Sequence, residues 1–381
     1  MYCKGFYRAS SPLPRGQLPE KEELTIGYRN WTNLFTISAI ANIGFSEDLK
    51  FLDQGNDTVV SESMDGSLKK VYFRECLFAT AWAQSNLIWS YDWYKTFVRI
   101  SNIVFSTYRR CWRLNKDRDG IVYNRATTRL QRYRAGEKLG DFFTAMMQDK
   151  SGAPHDLEWG EIVAEISIMM NAGSDTTGLA INNALFQLLK IPHCLEKLRS
   201  ELDAALDEDD IVAPYDKVKH LPYLRARPDE SLRILPPVSF GLACRTRPEG
   251  TNILGDFIVG DTSVSMSAYV VHHDESIFTD HEAYRPERWL GDEGKALQPL
   301  FVAFSTGARG CIGWDSSYLE QTMLIASLVH RYEFALPFPG WEPERRENMT
   351  LSPGPMPLKI WRRTTTSESR ALDTVQEEAF A

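Results

Sequence analysis

The chain has 381 residues, 43% hydrophobic and 25% charged, with a net charge of -8, enough apolar length for a large buried core in one big domain or two ordinary ones. The acidic balance argues against nucleic acid as a partner, because phosphate binding calls for a basic surface. The six cysteines are scattered with no Cys-x-x-Cys pair, which excludes zinc ribbons and thioredoxin-like sites and suits a reducing compartment.

In chain order, the N-terminus "MYCKGFYRASSPLPRGQLPEKEE" has neither the apolar centre of a signal peptide nor the long apolar run of a membrane anchor. The Asn-x-Thr matches at Asn30, Asn56 and Asn348 therefore do not read as glycosylation sites. Residues 29–46 read as a helix, and residues 70–112 as one or two more, rich in aromatics. Within them, Trp82, Trp89, Trp93 and Tyr94 form a stripe that reads as core packing or as the lining of a substrate channel. Residues 123–150 continue the helical trend and end in the turn "DKSGAPHD". The strongest segment runs from Trp159 to about Lys190, about 45 Å if continuous. Pro192 opens another helix, and the acidic run at residues 207–210 reads as a solvated loop. After Pro236 and Pro237, "TNILGDFIVGDTSVSMSAYVV" shows the short alternating runs of small β-ribbons. A helix is expected from about Tyr318 to His330, and a disordered polar tail over residues 364–381. With no internal repeat or linker, residues 1–363 read as a single domain, mainly α with a minor β part.

One loop carries specific chemistry. "FSTGARGCIG" places Phe304, Gly307, Arg309, Cys311 and Gly313 in the pattern F-x-x-G-x-R-x-C-x-G. A lone thiol on such a loop has neither disulfide nor zinc partners close in sequence. It suits a job that one sulfur does alone, as the axial thiolate ligand of a heme iron. The glycines permit a tight turn that aims amides near Ile312 and Gly313 at the sulfur. Arg309 would pair with a heme propionate, and Phe304 would wall the sulfur off from water. The bland alternative is a buried cysteine on a helix-entry loop.

These residues resemble the cytochrome P450 superfamily, most closely its fungal microsomal members, over about Asn30 to Arg363. The resemblance implies heme b as cofactor, O2 as co-substrate, and electrons from NADPH through NADPH–cytochrome P450 reductase. "AGSDTT" matches the oxygen-groove motif of the family's long central helix. Ala172 and Gly173 would border the groove, and Gly173, which costs about 1 kcal/mol in a helix interior against Ala, would make room for a ligand. Thr176 lies four residues after Ala172, so its hydroxyl would bond back to that carbonyl. Asp175 would pass protons toward the oxygen-binding face. Taken alone, Ser174 and Asp175 serve equally as an N-cap. Glu230 and Arg233 match E-x-x-R, and Arg288 of "RPERW" would complete a buried triad that braces the cysteine loop; alone, E-x-x-R is an ordinary helical ion pair. His272, His273 and Asp274 look like metal ligands, but the resemblance puts them in a surface turn.

The chain also departs from the family. It reads as beginning after the membrane anchor and first helices, so the propionate-binding Trp-x-x-x-Arg of that region is not found. Trp341 to Arg345 matches that pattern by coincidence. Cys244 stands where the family has proline, leaving Arg245 to meet the second propionate. Pro228 falls inside an expected helix, at a cost of about 3 kcal/mol unless it starts one. Trp314 and Asp315 follow the loop where the family often has a basic residue. The expected function is heme-dependent monooxygenation of a hydrophobic small molecule, with a secondary metabolite as the substrate class. The expected location is the cytoplasmic side, peripheral on the endoplasmic reticulum. The alternative is a truncated, catalytically silent relative that binds heme weakly; a heme-thiolate isomerase or dehydratase is a lesser one.

Overall fold

A computed structural model describes residues 25–363; the tail expected over residues 364–381 lies outside the described residues. The helix Trp159–Lys190 runs through the middle of the molecule. Its start is set by a reciprocal capping box between Glu158 and Glu161. Every residue from Thr177 to Leu188 is buried, as expected of a helix enclosed on all sides.

Its main partner is the helix Tyr28–Phe45, and the two approach closely because small and hydroxyl residues meet between them. A Cβ on Gly173 would come within 2.9 Å of Ile40, and one on Gly178 within 3.0 Å of Asn33. Thr36 donates to the Ser174 carbonyl at 2.6 Å, and the Asn182 amide to the Thr32 hydroxyl at 2.6 Å. This corrects the expectation for Gly173. Its missing side chain admits the neighbouring helix rather than a ligand.

The helices Phe73–Ser85 and Ser106–Arg134 pack together beside this pair. A hairpin, Thr58–Glu62 with Leu68–Tyr72, precedes them, so the helix expected from residue 70 begins only at Phe73. Ser106–Arg134 lies against this hairpin at Gly120, where a Cβ would meet the Glu62 carbonyl at 2.4 Å. The β part is otherwise small. It comprises a three-stranded antiparallel sheet in which Pro357–Arg362 pairs with Thr25–Gly27 and Tyr332–Ala335, together with short ribbons.

The helix Pro222–Ile234 carries the densest charge network. Glu230, Arg233 and Arg288 are all fully buried. Glu230 accepts from Arg233 at 2.9 and 3.0 Å, Arg288 at 3.0 Å, the Trp289 indole at 2.8 Å and the Arg285 amide at 2.8 Å. Arg233 also donates to the carbonyls of His272, His281 and Ala283. His272 is therefore not in a surface turn. It is fully buried at the end of the short helix Ala268–His272, because its carbonyl is needed by Arg233 and its ring by the next segment. That ring stacks on Phe301 and accepts the Val302 amide at 3.0 Å.

Two neighbours of this network conflict with their surroundings. Pro228 lies inside the helix, six residues after Pro222 opens it, so its N–H is lost where an intrahelical bond belongs. Arg227 is fully buried, and none of its three guanidinium nitrogens has a hydrogen-bond partner among the described residues. Burial lowers its pKa against the opposing pull of Tyr284, Tyr28 and Asp229.

Two predictions follow from this network. Burial, then Arg233 and His273, push the His272 pKa from 6.5 down to about 3. The unfolded chain takes up a proton that the folded chain refuses. This contribution to stability is complete above about 6.5 and is lost as pH falls toward about 3. His272→Gln keeps an acceptor for Val302 but cannot titrate, so its acid unfolding curve should be flatter than wild type over that window. Separately, Arg227→Leu should raise stability by roughly 1–4 kcal/mol in chemical denaturation; a destabilised variant would show that the guanidinium has a partner.

Candidate active site

The cysteine loop folds as a tight left-handed turn followed by a 3-10 turn. Ser305 and Gly307 have φ of 59° and 71°, and Gly307–Arg309 forms the 3-10 turn. The Cys311 amide donates to the Phe304 carbonyl at 2.8 Å and closes the loop. Gly313 caps the helix Trp314–Arg331, which starts four residues earlier than expected. A Cβ on Gly313 would lie 3.8 Å from the Cys311 sulfur, so the sulfur sits close to the N-terminal end of an 18-residue helix. The helix turns the positive end of its dipole toward the sulfur.

Phe304 does not cover that sulfur. Its ring packs on Tyr318 and the buried patch around Ala180 and Leu232, while Cys311 is exposed. The ring therefore anchors the loop to the central helix. Arg309 is exposed and makes no ion pair among the described residues. Arg245, on the short strand Cys244–Arg245, is exposed and 3.6 Å from both Asp92 and Asp261. The site thus offers one accessible soft donor and two accessible guanidiniums.

Along the central helix, Ala172, Thr176 and Ala180 repeat every four residues and share a face. Ala180 lies under Phe304, and Ala172 and Thr176 line a cavity of about 720 Å³. Thr176 donates to the Ala172 carbonyl at 2.7 Å, the back-bond that its spacing implied. Asp175 reaches the same cavity but is 8% exposed. Burial raises its pKa, opposed by the Thr350 hydroxyl bond, by the Arg29 charge and by Asn33. Cys311, Arg309 and Arg245 are not on the cavity lining.

The cavity also has walls that spacing did not reveal. Leu77 and Phe78 come from the helix Phe73–Ser85, and Arg29 from the first helix. Thr350 and Met349 come from the hairpin Arg345–Asn348 and Thr350–Pro353. The aromatic stripe is neither core nor lining. Trp89 and Trp93 are each 63% exposed, and Trp82 packs at a tilt on Tyr108 at 5.0 Å. A cleft of about 520 Å³ opens beside Trp314, Asp315 and Arg225, at the start of the helix that follows the cysteine loop.

The cytochrome P450 family model matches residues 17–360 of the chain. The cytochrome P450 monooxygenase asqL of Emericella nidulans is 36% identical over 175 residues, covering 46% of this chain and 36% of that protein. A cytochrome P450 monooxygenase of Aspergillus terreus is 28% identical over 323 residues, covering 83% of this chain and 63% of that protein. The chain therefore spans roughly one to two thirds of the length of these relatives. Among solved structures, the crystal structure of the cytochrome P450DA heme domain superposes with a TM-score of 0.75 at 17% identity, over 96% of this chain and 72% of that one. With the family's sequence pattern over nearly the whole chain and its fold around the cysteine loop, the protein belongs to the cytochrome P450 family.

Proposed function

We propose that the chain is a heme-dependent monooxygenase that inserts one atom of O2 into a hydrophobic small molecule of the secondary-metabolite kind. Its electrons come from NADPH through NADPH–cytochrome P450 reductase. The observation that carries this reading is the exposed Cys311 thiol at a helix N-terminus, on a loop packed against the helix that bears Asp175 and Thr176. A heme fits these residues. Cys311 would hold the iron, and Arg309 and Arg245 would meet the two carboxylates that need cationic partners. When bound, a thiolate-ligated heme supplies the activation of dioxygen.

The chain's own residues do the rest. Burial keeps Asp175 protonated to higher pH than an ordinary aspartate, which suits a group that hands on a proton. Thr176 spends its hydroxyl hydrogen on Ala172, leaving its oxygen to accept and relay a proton at the cavity wall. The cavity is large enough for a drug-sized ligand, and Leu77, Phe78, Ile168 and Leu242 make much of its wall apolar.

Among the described residues no helix is long and apolar enough to cross a membrane. The helix Tyr94–Val104 exposes Phe97, Ile100, Ile103 and Val104 together with the cations Lys95 and Arg99. That combination suits a peripheral position on the endoplasmic reticulum, on its cytoplasmic side.

The second reading is a catalytically silent relative with weak heme binding, favoured by the unpartnered Arg227 and the interior Pro228 beside the buried triad. The reduced, carbon-monoxide-treated spectrum separates the two. A red-shifted Soret band is expected for the first reading and none for the second. Cys311→Ala should abolish that band, and its survival would show the ligand to be elsewhere. Thr176→Ala should retain heme while product formed per NADPH consumed falls roughly tenfold or more. An equal fall in product and NADPH consumption would remove the relay role.

A further inference from the structure

Asp175 stands on the cavity wall with only one carboxyl oxygen engaged. The Thr350 hydroxyl donates to Oδ2 at 2.9 Å. Oδ1 is buried and accepts no hydrogen bond among the described residues, with the Asn33 side chain close by. Thr350 follows Met349 at the tip of the hairpin, where Met349 holds a φ of 67°, a conformation that costs a non-glycine residue energy and is kept only when the surroundings enforce it. Both residues line the same cavity as Asp175.

The hairpin is held from several sides. The Leu351 amide donates to the Pro237 carbonyl at 2.8 Å, Ser239 to Glu347 at 2.6 Å and Arg29 to Ser352 at 2.9 Å. The position of the Thr350 hydroxyl is therefore set by the hairpin as a unit. A molecule in the cavity touches the hairpin tip and the carboxyl group that this tip holds.

We infer that Thr350 is a positioning residue for Asp175, fixing the orientation of its carboxyl group at the cavity wall, and that the hairpin tip thereby ties proton delivery to what occupies the cavity. The inference rests on the reading of Asp175 as a proton relay. Without the Thr350 hydroxyl, the carboxyl group is free to rotate toward Arg29 or Asn33, and protons reach the wrong point more often. In a monooxygenase such misdelivery shows as reduction of O2 to hydrogen peroxide, with two electrons from NADPH and two protons, instead of oxygen insertion.

The experiment compares the chain with its Thr350→Val, Thr350→Ser and Asp175→Asn variants. Infrared difference spectra against pH give the protonation midpoint of Asp175, identified as the carboxyl band missing in Asp175→Asn. The charged groups around it are Arg29, with Arg74 behind, and Arg118, Glu344 and Arg346 around the cavity; all are unchanged in these variants. Thr350→Val removes a hydrogen bond to the charged form, so its midpoint should move to higher pH, and Thr350→Ser should bring it back. With heme and reductase present, peroxide released per NADPH should rise roughly threefold or more in Thr350→Val and return toward wild type in Thr350→Ser. An unmoved midpoint, or a moved midpoint with unchanged peroxide, would overturn the inference. Wild-type peroxide release by Asp175→Asn would instead overturn the relay reading beneath it.

Discussion

The carboxylate of Glu230 is the point on which the candidate site hangs. It is fully buried and receives five hydrogen bonds from four residues. Arg233 and Arg288 bring two positive charges to one negative charge, so the cluster keeps a net charge in the interior. Backbone carbonyls spread that charge: Arg233 donates to three and Arg288 to those of Thr279, Asp280 and Ala283. A buried cluster of this kind contributes little net stability over an apolar substitute, yet breaking it costs several kcal/mol. What it provides is position.

That position is handed on to the cysteine loop through named contacts. Arg233 holds the His272 carbonyl, the His272 ring holds the Val302 amide, and the Val302 carbonyl accepts from Ser305 at the start of the turn. Trp289, bonded to Glu230, packs edge-on against Phe301 at 5.1 Å. Phe304 then anchors the loop on the patch around Ala180, one helical turn from Thr176. The buried charge cluster, the cysteine loop and the central helix are thus one contiguous stack. This makes the misfit at Arg227 and Pro228 notable, since both lie within one turn of Glu230. Local sequence and global fold disagree there.

The contact between the first helix and the central one is built on different physics. The first helix approaches the central one through glycine and hydroxyl contacts rather than large apolar side chains. Hydroxyls of Ser174, Thr176 and Thr36 each bond to a carbonyl of the central helix. Such extra acceptance loosens and bends a helix locally. These bonds cluster on the stretch of the central helix beside the cavity, where Asp175 and Thr176 are presented.

Much of this was legible in the sequence wherever the information is local. The loop pattern from Phe304 to Gly313 specified a tight turn, because glycine placement and spacing act within a few residues, but not that the thiol would be exposed. The span Trp159–Lys190 followed from apolar periodicity, and the Thr176 back-bond from a spacing of four. Tertiary structure alone decided what covers each face. Helical spacing placed Gly173 on a face but could not say that Ile40 would fill it. It could not pair Asp175 with Thr350, 175 residues away, or give the His272 ring to Val302. The hairpin at residues 58–72 was missed because its alternation is short and merges with the helix at Phe73. Periodicity is a property of one segment, whereas burial and hydrogen-bond partners are properties of two, and the second is known only when the chain has packed.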